Sequence, residues 1–230
     1  MTNVKSSELN YDSYSEDKYD LDIINSIPFH KELHEKIIWI LKQEFNSKTL
    51  EILDLGIGTG ITSKIVLEKF PNSQLIGIDF SDQMLLGAQN KLKDFNVELI
   101  KEDYSKIDLP KELDLVISVI GFHHQSKKVE KVLMFKKIFA SLKQGGIFML
   151  GDLMTYSNQV KASECEQKHF DFLKQNAIDE KTLKEWTHHH KELNKLETVE
   201  NQIAWLKETG FRKVTLEFSE FNTCLIVAQK

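Results

Sequence analysis

Three glycines on alternate positions, Gly56, Gly58 and Gly60, follow the acid Asp54 at the end of a short apolar run, Glu51-Ile52-Leu53-Asp54-Leu55. Glycines so spaced let backbone lie against a ligand where any Cβ would collide. Asp79 stands 19 residues beyond Gly60. A carboxylate at that distance can accept both hydroxyls of a ribose, or it can be a helix N-terminal acid favoured by the dipole. Asp103 can accept a hydrogen bond from an adenine amino group, the next backbone N–H meeting a ring nitrogen, or it can sit in a solvated turn. Phe80 and Met84 can wall a base or belong to the core. The loop is Gly-x-Gly-x-Gly rather than Gly-x-Gly-x-x-Gly, so it lacks the form suited to a pyrophosphate.

A second group of residues could move protons. His123 and His124 are adjacent, and an imidazole with an ordinary pKa of about 6.5 suits general-base work. His123 is the favoured base, because Phe122 and His124 would then share the opposite direction; a structural histidine bonded to a loop carbonyl is the competing reading. Downstream lie His169, the run His188-His189-His190, and Trp186, Phe170 and Phe172. Three consecutive helical residues point in three directions, so they cannot together bind one ion, and a solvated helix end is expected rather than a metal site. The aromatic residues can line a pocket for a flat ring or pack as ordinary core.

The elements around these residues follow from pattern. Residues 50–55 read as a buried parallel strand, and 61–70 as a helix ending before Pro71. His30 to Phe45 is an amphipathic helix with Leu33, Ile37, Ile38, Ile40 and Leu41 on one face. Further strands are expected at 74–79, 97–100, 113–119 and 147–150. Helices are expected after Ser81, which can cap its helix, and over 129–142. Gln144-Gly145-Gly146 reads as a turn. Residues 157–196 carry no strand signal and read as a helical insertion. A helix over 199–208 ends at Gly210, and 211–218 with 221–229 form a terminal hairpin. Residues 1–20 are polar and loose at their start, punctuated by Tyr11, Tyr14 and Tyr19, and residues 23–28 form a short turn or helix. This is an α/β chain with its chemistry at the carboxyl ends of strands: Gly56 to Gly60, Asp79, Asp103, His123 and Asp152.

Bulk properties narrow the classes. The 230 residues are 41% hydrophobic and 28% charged, as in an ordinary globular protein of one sizeable domain. A net charge of −5 disfavours a nucleic-acid partner. Arg212 is the only arginine, so a bidentate arginine clamp on a carboxylate or phosphate is nearly excluded. Two distant cysteines, Cys165 and Cys224, suggest a reducing cytoplasm rather than a disulfide framework. No apolar run approaches membrane-spanning length, and no signal-peptide core is evident.

The chain resembles the class I S-adenosylmethionine-dependent methyltransferases. The residues carrying the resemblance are ILDLGIGTG at 52–60, GIDFS at 77–81, KEDY at 101–104, LDLVISVIGFHH at 113–124, SLKQGGIFMLGD at 141–152, and the TGF-plus-hairpin ending. Together they cover roughly residues 30–230. The resemblance implies a Rossmann-like sandwich with a seven-stranded, mostly parallel sheet ending in an antiparallel hairpin. It implies S-adenosyl-L-methionine as cofactor and S-adenosyl-L-homocysteine as product. The loop Gly56 to Gly60 would lie against the methionine part, with Asp54 and Thr59 shaping the amino-acid end. Asp79 would hold the ribose, Asp103 and Tyr104 the adenine, and Tyr19, Phe80, Met84 and Val119 would complete the walls. His123 would serve as base, and His124, His169 and Trp186 would meet a small-molecule acceptor; no metal is called for. The implied organisation is an N-terminal segment able to act as a lid (1–29), a cofactor domain (30–156 and 197–230) and a helical substrate cap (157–196). A cytoplasmic enzyme, monomeric or homodimeric, fits.

The chain looks closest to the bacterial small-molecule branch, whose tail pattern T-x-E-x-Q-x-x-W-L-x-x-x-G-F is matched at 198–211. The lead-in Lys18-Tyr19-Asp20 and Ser26-Ile27-Pro28, with the same tail, is similar to the carboxymethyl-transferring enzymes of tRNA wobble uridine. Those hold an extra carboxylate with an arginine in the insertion, and residues 151–196 contain none. Ordinary S-adenosylmethionine is therefore expected. The alternatives are a tRNA-modifying transferase and a non-catalytic S-adenosylmethionine-binding protein. An NAD-dependent oxidoreductase accounts for the first half only.

Overall fold

The structure, a computed structural model, describes residues 16–46, 48–124 and 127–230. Tyr11 and Tyr14 lie outside the described residues. Strands β1 (Glu51–Leu55), β2 (Gln74–Asp79), β3 (Asn96–Lys101), β4 (Leu113–Val119), β5 (Leu142–Leu153), β6 (Lys213–Glu220) and β7 (Thr223–Gln229) form one sheet in the order β3-β2-β1-β4-β5-β7-β6. β1 to β5 pair in parallel, and β7 runs antiparallel between β5 and β6. The order reverses between β1 and β4, and at such a switch point the two flanking loops diverge and leave a crevice.

Both faces of the sheet are covered, which is why its central strands read as nearly unbroken apolar runs. Leu53, Val116, Phe148 and Ile226 point into one core layer, with α5 (Lys128–Ser141) and α8 (Val199–Thr209). Their alternates Ile52, Ile117, Met149 and Leu225 point into the other, with α2 (His30–Phe45), α3 (Ile61–Leu67) and α4 (Asp82–Leu92). The expected apolar face of α2 is buried throughout. Ser81 caps α4 by accepting from the Met84 N–H at 3.3 Å.

The structure departs from expectation in four places. The polar segment before Ile23 is helical from Glu16: α1 (Glu16–Ser26) packs on α4 and on α6 (Gln159–Asn176). Its apolar residues are too few to mark a helix by pattern, and Leu21 and Ile24 remain exposed. Helix α3 stops at Leu67, where the chain tightens into an i→i−3 bond from Lys69 to Val66. The Gly145-Gly146 turn is an irregularity inside the long β5 rather than a break before it, and the β4–β5 register shifts there. At its other end β5 runs on to Leu153, so Asp152 lies within the strand, paired with Cys224 of β7. The insertion is helical as expected, with α6, α7 (Glu180–His188) and a wide π-turn over His189–Leu193.

Candidate active site

A cavity of about 1140 Å³ opens at the crevice between β1 and β4. The glycine loop forms its floor, with left-handed φ of 76°, 55° and 82° at Gly56, Gly58 and Gly60. The loop also needs Gly77 on β2, where a Cβ would come 2.3 Å from the Ile57 side chain. Gly56, Gly58 and Thr59 line the cavity, whereas Gly60 does not. Gly60 is the residue preceding α3, packed against Leu92.

Asp54 and Asp79 are buried at two points of this cavity. Asp54 accepts from Ser63 Oγ at 2.6 Å. Burial pushes its carboxyl up to about 7 against that hydrogen bond, and the charge of Asp79 adds to the rise. Asp79 ties the site together: Oδ2 accepts from the Gly58 N–H and Oδ1 from the Ser81 N–H, both at 3.0 Å. It therefore combines a loop anchor with the helix-terminal role. Phe80, Met84, Tyr104 and Val119 supply walls. Asp103 also lines the cavity, two residues past the end of β3, with its oxygens engaged by Ser105 and by Lys106 at 2.9 Å. The turn reading of Asp103 is thus part of the truth.

Helix α1 closes over the loop. Thr59 Oγ1 donates to Asp20 Oδ1 at 2.5 Å, and Lys91 pairs with Asp20 Oδ2. Tyr19 stands 3.9 Å from where a Gly58 Cβ would be. Asp20 is a site-building residue that sequence reasoning missed. Its only signal was its place in the Lys18-Tyr19-Asp20 lead-in.

A second cavity of about 370 Å³ shares Tyr19, Ile23, Ile120 and His124 with the first. Ile120 holds φ at 53°, a conformation a β-branched residue adopts only under constraint, and its N–H donates to Gly151 O at 2.7 Å. Six of the chain's eight histidines line the second cavity: His123, His124, His169, His188, His189 and His190. Trp186 lines it too, buried. The solvated-end reading of the His188–His190 run holds in part: all three line the cavity, with His188 exposed at the end of α7, while His189 and His190, in the π-turn, are half-buried and buried. The opposed-direction argument for His123 is corrected as well. In the 3-10 turn Phe122–His124 it is Phe122 that turns into the core, stacking on Phe135 at 5.2 Å, while both histidines face the cavity. Phe170 and Phe172 are not among the residues lining either cavity.

His123 Nδ1 meets Asp152 Oδ1 at 2.5 Å, and both side chains are buried. A carboxylate only accepts, so Nδ1 carries the hydrogen and the neutral ring keeps its lone pair on Nε2. On the opposite wall His190 Nε2 bonds Glu166 at 3.1 Å, and His169 stacks on His190 with ring centres 4.0 Å apart. Desolvation, reinforced by His190, drives His169 down to about 2; desolvation, with the neighbouring histidines, drives His189 to about 4 and His124 well below its usual range. These imidazoles are neutral at pH 7. No group of three or more His, Cys, Asp or Glu among the described residues is arranged to hold a metal ion.

The methyltransferase-domain family profile matches residues 52–146. The chain is similar to the carboxy-S-adenosyl-L-methionine synthase of Nautilia profundicola, 31% identical over 212 residues covering 91% of this chain and 89% of that protein. It is also similar to a malonyl-[acyl-carrier protein] O-methyltransferase of Coxiella burnetii, 33% identical over 60% of this chain and 52% of that one. Among solved structures, the N-methyltransferase NodS of Bradyrhizobium japonicum, in complex with S-adenosyl-L-homocysteine, shares the fold with a TM-score of 0.62 at 16% identity, covering 97% and 96% of the two chains. The crevice, its glycine floor and its paired acids define a transferase built around an adenosine-containing cofactor. The chain belongs to the class I S-adenosylmethionine-dependent methyltransferase family, and its cofactor is S-adenosylmethionine.

The residues fit that group. The glycine floor leaves space that side chains would fill, and two buried acids, Asp54 and Asp79, line the cavity beside it as acceptors for polar groups.

Proposed function

We propose that the enzyme methylates a small molecule held in the second cavity, using S-adenosylmethionine held in the first. The observation that carries this reading is the shared wall of Tyr19, Ile23, Ile120 and His124, which places two cavities of different chemistry side by side. Asp79 takes the ribose, Asp54 and Thr59 the amino-acid end, and Asp103 with Tyr104 the adenine. Phe80, Met84, Val119 and Tyr19 exclude water. Bound S-adenosylmethionine supplies an electrophilic methyl carbon, the sulfur leaving as a neutral thioether with the electron pair of the broken C–S bond. His123, held by Asp152 in the tautomer with a free Nε2, takes the proton that an oxygen or nitrogen acceptor sheds. His124, His169 and Trp186 meet the acceptor. Residues 157–196 act as the cap and α1 as the lid, a division supported by their packing across the second cavity. Two free, buried cysteines support a reducing cytoplasm.

A second reading has its own support in the near-full-length likeness to a carboxy-S-adenosyl-L-methionine synthase. There a carboxylated form of the cofactor is the product. Against it, Lys18 is the only lysine or arginine among the described residues lining the second cavity. Calorimetry with S-adenosylmethionine and S-adenosylhomocysteine on wild type and Asp79→Ala tests the cofactor site. Mass analysis of the cofactor after turnover separates the two readings: S-adenosylhomocysteine supports methyl transfer, and a product 44 mass units heavier than S-adenosylmethionine, on the order of one added carboxylate, overturns it.

A further inference from the structure

Resting on that reading of the second cavity, we infer that its acceptor is a small uncharged ring carrying more than one hydroxyl group. Among the described residues lining the cavity, the acids and lysines are Lys18, Asp22 and Glu185. An anionic acceptor would face two carboxylates and one ammonium. His124, His169 and His189 do not supply the missing cation, since burial lowers all three; a group titrating near 2, as His169 does, is protonated at pH 7 in about one molecule in 10⁵. A cationic acceptor finds both carboxylates already attended: Lys18 acts on Asp22, and Lys181 stands 3.8 Å from the rim residue Glu185. What the cavity offers in excess is imidazole, held neutral by burial at His124, His169 and His189, and a neutral imidazole donates at one nitrogen and accepts at the other. A hydroxyl, also both donor and acceptor, is the complementary group.

Two stations for hydroxyls are built in. His123 presents Nε2 as an acceptor because Asp152 holds Nδ1–H. His169 is 1% exposed, lines the cavity, and its Nδ1 has no hydrogen-bond partner among the described residues. A buried nitrogen left without a partner costs free energy that a ligand hydroxyl restores. The same cavity has flat or apolar lining at Trp186, Leu153, Leu173 and Ile27. A ring fits that space, and one of its hydroxyls comes to the base.

The test is calorimetry on the full chain loaded with S-adenosylhomocysteine at pH 7.5, with catechol, benzoate and benzylamine as probes. Wild type is compared with His169→Ala and with His169→Phe, which keeps the aromatic packing on His190 while removing the nitrogens. Catechol is expected to bind one to one, at least tenfold more tightly than either charged probe, and at least tenfold more weakly to His169→Phe, with S-adenosylhomocysteine affinity unchanged. Equal or tighter binding of benzoate or benzylamine overturns the inference. So does absence of catechol binding, or catechol binding indifferent to both His169 variants. If S-adenosylhomocysteine itself fails to bind wild type, it is the cofactor-site reading that falls; if it binds and the probe pattern fails, only the acceptor class falls.

Discussion

The two cavities meet at four residues yet are built by different rules. The first is made at strand ends, by loops whose shape the backbone dictates: glycines at positive φ, an acid closing β2, a capped helix start. The second is made by side chains projected from five separate segments, α1, the Phe122–His124 turn, β5, α6 and the α7–π-turn. Loop geometry at a sheet switch point leaves little freedom, so a small number of residues fixes the cofactor. A cavity under a helical cap is shaped by whichever side chains point inward, so it can be refitted to a new acceptor without disturbing the sheet. The difference teaches where specificity is free to vary in this enzyme.

Mutations should respect that division. The largest effect is expected from Asp152→Asn, which removes the acceptor fixing the His123 tautomer and allows an amide N–H to hold Nδ1 as the lone-pair atom instead. The rate constant for methyl transfer should fall by roughly 10² to 10⁴, while S-adenosylhomocysteine affinity measured by calorimetry stays within about twofold. Equal loss of both would mean that the two cavities are one cooperative unit. Asp79→Ala should act in the opposite cavity. It deletes two backbone hydrogen bonds to a buried carboxylate along with any ribose contact. Cofactor affinity should fall about 100-fold, since hydrogen bonds to charged groups are worth about 1.5–3 kcal/mol each. An affinity unchanged in this variant would remove Asp79 from the site.

Legibility in the sequence follows the same line. The strands, their order of chemistry and the glycine floor were readable, because buried parallel strands are short apolar runs and glycine at positive φ is nearly obligatory. Asp54, Asp79 and Tyr104 could be placed by distance from those landmarks. The histidines could be suspected but not aimed. His189 and His190 reach the cavity from a π-turn, whose extra width no residue pattern announces. Asp152 was visible as a strand-end acid, yet its pairing with His123 requires knowing that β4 and β5 are neighbours. Asp20 was hidden in a polar helix stabilised by its contacts on α4 and α6 rather than by an apolar stripe of its own.

Acidification separates the cavities in a different way. Unfolded histidines titrate near 6.5, whereas in the folded chain burial takes His30 to about 3, His189 to about 4 and His169 to about 2. Between those limits the unfolded chain binds more protons, so the stability they contribute is complete above pH 6.5 and is lost as pH falls. The slope is up to about 1.4 kcal/mol per pH unit for each group. By pH 5 the three together cost up to about 6 kcal/mol, comparable with the whole stability of many domains. Two of them face the second cavity, so hydrogen exchange in α6 and α7 should accelerate before exchange in β1 and β4. His169→Phe should recover about 2 kcal/mol at pH 5 and nothing at pH 8. The first cavity has its own titration with a distinct readout. Asp54 loses its charge as pH falls through about 7, so S-adenosylhomocysteine, whose ammonium it would face, should bind up to tenfold more weakly per unit below that point. Asp54→Asn should flatten the slope.

The smallest expected effect probes the outer edge of the cofactor cavity. Lys106 is an exposed side chain bound to Asp103 at 2.9 Å, and it too lines the cavity. A surface pair of this kind is weak, so an adenine amino group can displace it at little cost. Lys106→Ala leaves Asp103 oriented by Ser105, whose hydroxyl and N–H both bond Oδ1, and frees Oδ2. Affinity for S-adenosylhomocysteine should then rise by about two- to threefold, the gain expected from removing one exposed competitor. Free adenosine should show the same gain, because only the base end is involved. A tenfold loss would mean that Lys106 itself holds the cofactor, and the boundary between backbone-made and side-chain-made recognition would have to be drawn inside the first cavity rather than at its shared wall.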